Sequence, residues 1–218
     1  MIHDFAIVWD HRDRFLDGFV NTVWMCIAAS IGALVLGAVL TIILMARRRW
    51  LAKSAQALVD AMRCVPFLLF AYVIYYGLPS LGIRLDNWTT GVAALTLYNS
   101  AYMAELLRAA WTGLPRDMIE AGQAFGFVGF GLFRRIILWP VVFAATPIFG
   151  NQMIQIIKDS AFLTIIAVPE LTHEASSVQS TYYIPFAAFI AAVLLYWSLC
   201  MVVEMGVLAI GRVADVRR

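Results

Sequence analysis

From residue 19 to residue 45 the chain carries no charged side chain. As a helix, FVNTVWMCIAASIGALVLGAVLTIILM is long enough to cross the ~30 Å hydrocarbon core of a bilayer with some tilt. Backbone polar groups in lipid must be satisfied within their own segment, so a run of this length constrains the fold more than any other feature. Ala29, Ala33 and Gly37 recur every four residues. That spacing lets membrane helices approach closely, and the face is expected to pack on another span. Composition agrees. Of 218 residues, 62% are hydrophobic and 14% charged, more apolar surface than a soluble domain of this size can hide.

Four further spans are expected at about 55–78, 88–110, 136–157 and 184–210. The second carries Asp60 and Arg63 near its start and Pro66 just inside, and is clearly apolar only from Cys64. It therefore begins at the interface, or its entry is irregular. The third includes Asn99, Ser100, Glu105 and Arg108. The apolar stretch 160–169 is too short to cross and should be re-entrant or interfacial. Residues 170–183 are polar, and 1–18 form an amphipathic, interfacial tail. That tail is acidic and aromatic rather than basic, unlike a signal peptide. The chain is thus expected to be one all-α integral membrane domain, 1–218, with about five transmembrane helices.

Five spans place the chain ends on opposite sides. One side then holds Arg47, Arg48, Arg49, Lys53, Arg108, Arg116, Arg134, Arg135, Arg212, Arg217 and Arg218; the other holds Arg12, Arg14, Arg84 and Lys158. Cytoplasmic loops collect Lys and Arg, so the first side is cytoplasmic and the N-terminus outside.

The apolar pattern breaks at LPRDMIEAGQAFGFVGFGLFRRIILWP, within the loop 114–135. Pro115 suits the first position of a helix, and Asp117 and Glu120 suit its dipole. Met118, Ala121, Gly122 and Phe125 share one face at helical spacing. Gly126 suits a left-handed stop, and Gly129 and Gly131 a flexible corner. The pattern predicts a short helix, a turn and a second short helix outside the bilayer. Its small residues fit a docking surface better than a catalytic one.

Glu120-Ala121-Gly122, Gly126 and Ile137-Leu138 resemble the cytoplasmic EAA loop of bacterial ABC-importer membrane subunits. Arg63-Cys64-Val65-Pro66, Gly150-Asn151-Gln152, Lys158-Asp159-Ser160 and Val168-Pro169-Glu170-Leu171-Thr172 are similar to further blocks of that family, in the same order and spacing. The likeness runs from about residue 16 to the C-terminus and is greatest to the polar amino-acid uptake branch. Gly122 departs from the family's second Ala, Cys64-Val65 from its Gly-Thr, and Pro140 falls one residue late.

The resemblance implies a permease subunit in the bacterial inner membrane that carries a polar amino acid or derivative. It implies a second permease copy or homologue, a cytoplasmic ABC ATPase dimer and an extracytoplasmic solute-binding protein. Glu120, Ala121, Gly122 and Gly126 would then couple to the ATPase through a coupling helix. No nucleic acid, cofactor or metal is expected. A subunit of an ion-coupled secondary transporter is the alternative, although no internal repeat supports it.

On the fourth span, Asn151, Gln155 and Lys158 share one face, and Gln152, Gln155 and Asp159 share its neighbour. A polar stripe cannot face lipid cheaply. It either bonds between helices or lines a translocation path, together with Asn99 and Ser100. Lys158 and Asp159 are adjacent and cannot simply pair on a helix. Arg63, beside Pro66, is a second path candidate, because a broken helix leaves backbone groups free for a ligand; alternatively it snorkels to headgroups. Glu105 would pair with Arg108, and Glu204 with a basic residue of another helix. Cys26, Cys64 and Cys200 are scattered in apolar segments and read as small hydrophobes. The run from His173 lacks the second His of a zinc-protease helix, and residues 126–131 lack the Lys of a phosphate-binding loop. Trp50, Trp88, Trp111, Tyr182 and Tyr183 read as interfacial belts.

Overall fold

The computed structural model describes residues 2–46 and 48–215, with side chains from 3 to 46 and 48 to 209. Arg47, Arg217 and Arg218, which contribute to the expected orientation, lie outside the described residues, as does the side chain of Arg212. Among the described residues every regular element is a helix.

Helix α1 spans Ile2–Asp10 and α2 spans Arg12–Leu44. At 1.5 Å per residue α2 is about 50 Å long, well beyond the hydrocarbon core. The tail expected at 1–18 is therefore divided: only α1 is separate, and residues 12–18 are the outer turns of the first span. Arg14 holds these turns in place by donating to Glu174 (2.9 Å) and Ser177 (2.9 Å).

The second expected span is two helices, α3 (Arg49–Cys64) and α4 (Phe67–Ser80), meeting at 106°. Pro66 has no N–H to continue α3 and pushes Val65 into an extended conformation (ψ 136°). The carbonyls freed at the break do not await a ligand. Tyr102 Oη donates to Arg63 O (3.1 Å) and Tyr98 Oη to Val65 O (2.9 Å). Both tyrosines belong to α5 (Asn87–Thr112). Asp86 caps α5, accepting from the N–H and hydroxyl of Thr89 at 3.0 and 2.6 Å. These bonds hold its carboxyl below the usual range.

Helices α2 and α5 form the central pair. A Cβ at Gly37 would lie 2.6 Å from Met103 Cβ, and one at Gly32 2.7 Å from Thr96. Ala29 and Ala33 are fully buried on the same stripe, as its small-residue spacing requires.

The loop 114–135 folds as α6 (Arg116–Ala124) and α7 (Gly129–Leu132), followed by a π turn (Phe133–Ile137) leading into α8 (Leu138–Ser160). Pro115 lies just outside α6, one residue earlier than expected. Gly126 has φ +83°, the left-handed stop its position suggested. The inward face of α6 differs from the expected one. Gly122 is buried with Ile119 packed nearby, whereas Ala121 and Phe125 are exposed, because the partner surface is Leu132 and Ile136.

After α8 a 3₁₀ turn, Ala161–Ile166, carries Leu163 and Ile166 into the core among α2, α4, α5 and α8. Ala167 is left-handed (φ 53°). Asn87 donates to Ala167 O (3.3 Å) and Asn21 to Pro169 O (2.9 Å), so the irregular backbone is satisfied by protein. The segment packs into the helical core through Leu163 and Ile166 rather than lying as a strip on the surface. The polar stretch that follows is helical, α9 (Leu171–Tyr182), with Leu171, Ala175 and Val178 buried against α2 and α10 (Pro185–Asp215).

Three continuous helical stretches, Arg12–Leu44, Gly129–Ile166 and Pro185–Ala209, are long and apolar enough to cross a membrane, and the bent α3–α4 pair qualifies as a broken fourth. Helix α5 has the length but carries polar residues. Trp24, Ile31, Val35, Val193 and Trp197 stand exposed on α2 and α10, as they would toward acyl chains.

Candidate functional site

The polar residues of α8 divide as their spacing predicts. Asn151, Gln155 and Lys158 are exposed, and Gln152 and Asp159 are buried. Gln152 Nε2 donates to Asn99 Oδ1 at 2.6 Å, joining α8 to α5. The Asn99 amide donates in turn to Leu95 O (3.0 Å). One turn outward, Gln155 Nε2 donates to Asp159 Oδ1 (2.9 Å). Asp159 Oδ2 is buried without a hydrogen-bond partner among the described residues. Asn99, Gln152, Gln155 and Asp159 thus form one polar cluster on the α5–α8 seam. An unsatisfied buried carboxylate oxygen is costly, and it distinguishes Asp159 from the other members of this cluster.

Four candidates lie outside it. Arg63 sits at the end of α3, stacked over the Tyr102 ring at 5.7 Å and 3.8 Å from Asp60. Ser100 donates to Leu97 O on its own helix. Asn151 is exposed, so it does not share a cavity with Asn99 and Ser100. Lys158 opens into a groove of about 450 Å³ between α8 and α10, lined also by Tyr196, Cys200 and Glu204. Glu204 shares this groove but has no ion-pair partner within 4.0 Å among the described residues, contrary to expectation: the side chain is exposed, and water or a partner can solvate it. Glu105 and Arg108 do pair, at 2.6 and 2.9 Å. Cys26 is buried and Cys200 half-buried as expected, whereas Cys64 is exposed at the α3–α4 break.

A second cluster escaped the sequence reading. Glu170, fully buried at the start of α9, accepts from the N–H groups of Thr172 (2.8 Å) and His173 (2.7 Å) and from Tyr196 Oη (2.6 Å). Leu171 N donates to Thr22 Oγ1 (3.1 Å). Glu170 lies in the connector between spans, and burial pushes its carboxyl up to about 7 against the opposing pull of its hydrogen bonds. An acid immediately before a run at helical spacing signals a cap; the Tyr196 partner has no sequence signal.

In the loop 114–135, Glu120 and Ala121 face solvent and Gly126 is exposed. Gly122 faces inward: a Cβ there would lie 2.9 Å from Leu132 Cδ1 and 3.1 Å from Ile136 Cγ1. Its smallness therefore serves packing of α6 onto the root of α8 rather than docking. Phe125, Val128 and Phe130 are 84, 74 and 74% exposed, a patch of apolar side chains on the loop.

Residues 33–212 match the family described as the binding-protein-dependent transport system inner membrane component, and the chain belongs to that family. It is similar to a probable glutamine ABC transporter permease protein, GlnM, of Bacillus subtilis (strain 168), 33% identical with 93% of this chain and 94% of that protein covered. It is also similar to the arginine transport system permease protein ArtQ of the same organism, 28% identical over 91% of each. The fold matches the crystal structure of an amino acid ABC transporter with histidines, with a TM-score of 0.89, 24% identity, and 95% and 97% of the two chains covered. The chain is a multi-pass inner-membrane permease subunit, and an ion-coupled secondary transporter is not supported.

Proposed function

We propose that this subunit forms the path for a polar amino acid or close derivative and is driven by two copies of a separate cytoplasmic ATPase. The relatives' names, glutamine and arginine transporters among them, support the solute class. In this reading a second permease completes the path, an extracytoplasmic binding protein delivers the solute, and the chain itself catalyses no reaction. The N-terminus lies outside and the C-terminus in the cytoplasm. The spans occupy about 19–45, 88–110, 136–157 and 184–210, with α4 of the bent α3–α4 pair as the second crossing and the loop 114–135 inside.

The observation that carries the coupling role is the bracing of α6. Gly122 seats α6 directly on Leu132 and Ile136, at the turn where α8 begins. Force on the exposed Glu120–Ala121 surface reaches α8 without an intervening flexible joint. Further along α8 stand Gln152, Gln155 and Asp159, whose bonds to α5 would change as α8 tilts. Asn151 and Lys158, on the exposed face, would meet the solute or the second permease; Arg63 supports the α3–α4 break.

Gly126→Val tests this directly. A β-branched residue at φ +83° is strained by more than the roughly 1–2 kcal/mol an ordinary side chain pays there. A Cβ at this position meets nothing within 4 Å, so the spans are untouched. The variant is expected to reach the membrane at normal levels, recover less ATPase in pull-downs and transport poorly, with Glu120→Ala milder. Wild-type uptake and ATPase recovery in Gly126→Val would reduce the loop to a solvated connector.

A further inference from the structure

Helix α3 has three faces. Ala55 and Val59 are buried against Leu44, Ala101 and Ala104. At helical spacing, Arg49, Lys53, Gln56, Asp60 and Arg63 form a charged face. Trp50, Ala57, Leu58 and Ala61 form a largely apolar one, its one hydroxyl, Ser54, tied back to Trp50 O (2.9 Å), and it is exposed, Trp50 to 66% and Leu58 to 53%. A helix divided in this way lies along a membrane surface, with its apolar face at the acyl boundary and its charges in the headgroups.

The surrounding geometry agrees. Helix α4 runs along α5, with Phe67 on Tyr98 and Tyr75 beside Asn87. With α4 crossing the bilayer, the 106° bend puts α3 close to the membrane plane. Its level on α5 is that of Ala101 and Ala104, next to the charged Glu105–Arg108 pair.

The charge on this helix is unbalanced. Asp60 lies 3.8 Å from Arg63. Arg48, Arg49 and Lys53 are exposed, with no carboxylate within 4.0 Å among the described residues. They flank Trp50, whose ring suits the headgroup level. We propose that Arg48, Arg49 and Lys53, with Trp50, form a binding site for anionic phospholipid headgroups that holds α3 in the membrane plane. Trp50 and Leu58 enter the acyl boundary while the cations bind lipid phosphates. The site needs neither solute nor ATPase, and rests only on the chain being embedded in a bilayer.

The test uses the full chain with Cys26, Cys64 and Cys200 replaced by serine and a fluorescent label on Ala57→Cys. Nanodiscs of phosphatidylcholine with a minority of phosphatidylglycerol would have one lipid or the other brominated in its acyl chains. Brominated phosphatidylglycerol is expected to quench beyond its share of the lipid by about fivefold. The combined variant Arg48→Gln, Arg49→Gln, Lys53→Gln should still be quenched by both lipids, but in proportion to their shares. Proportional quenching in the parent chain, or unchanged enrichment in the variant, overturns the site. Absence of quenching by either lipid also overturns it, because a second copy of the chain would then cover this face. Native mass spectrometry of lipids retained by the unmodified chain repeats the comparison without a label: phosphatidylglycerol is expected to be retained selectively, and equal retention of the two lipids overturns the site.

Discussion

Asp159 and Glu170 are both buried carboxylates, yet their surroundings divide their roles. Glu170 is enclosed by three donors. Asp159 has one, from Gln155, and an orphaned second oxygen. Removing a satisfied group leaves its donors stranded, whereas removing an unsatisfied one relieves a desolvation cost. Asp159→Ala is therefore expected to leave membrane insertion and the thermal midpoint unchanged or higher. Uptake should fall about tenfold, equivalent to about 1.4 kcal/mol in the rate-limiting barrier. A loss of assembled complex instead would make Asp159 a brace between helices, and normal uptake with normal assembly would discard both roles.

At the scale of elements, side chains from neighbouring helices mend the breaks in the backbone. Tyr98 and Tyr102 close the α3–α4 break, Asn21 and Asn87 hold the connector after α8, and Glu170 ties the start of α9 to Tyr196 of α10. This last tie has a pH signature. The folded-state pKa of Glu170 is raised from 4.5 to about 7, so between those values the folded chain holds a proton that the unfolded chain has released. Stability from this group is thus greatest at low pH and declines as pH rises through that window. The thermal midpoint of the purified chain should drop from about pH 4.5 to about pH 7 and level off above it. Glu170→Gln, which keeps the shape and removes the titrating proton at the cost of one backbone N–H bond, should lower the midpoint overall and flatten that slope. An identical slope in the variant would assign the pH dependence to another group.

For the whole molecule, orientation decides which surfaces meet which partners. Trp24, Ile31, Val35, Val193 and Trp197 are exposed on α2 and α10, an apolar surface suited to acyl chains. The charges behind the inward assignment of the loop include Arg48, Arg49, Lys53, Arg116, Arg134 and Arg135. With native cysteines removed, Thr112→Cys should resist a membrane-impermeant thiol reagent in intact cells and react once they are permeabilised, while Ser80→Cys reacts in both. Both positions are exposed, so burial does not confuse the result. Labelling of Thr112→Cys in intact cells with none at Ser80→Cys would invert the topology.

Local patterns in the chain determined the helical class, the apolar segments, the left-handed stop at Gly126, the Glu105–Arg108 pair and the division of α8 into two polar faces. These follow from periodicity, side-chain chemistry and backbone sterics within a few residues. The tertiary structure decided what lies across space. Gln152 meets Asn99 over 53 positions, Tyr196 meets Glu170 over 26, and Tyr98 reaches Val65 over 33. The break beside Arg63 was legible from Pro66, but not that tyrosines would occupy its carbonyls. Nor could spacing show that Gly122 faces inward while Phe125 faces out: the orientation of a short helix is set by the surface it packs on, here Leu132 and Ile136. Hydropathy marks which segments leave water, and only helix-to-helix contact determines which polar groups find partners once they have left it.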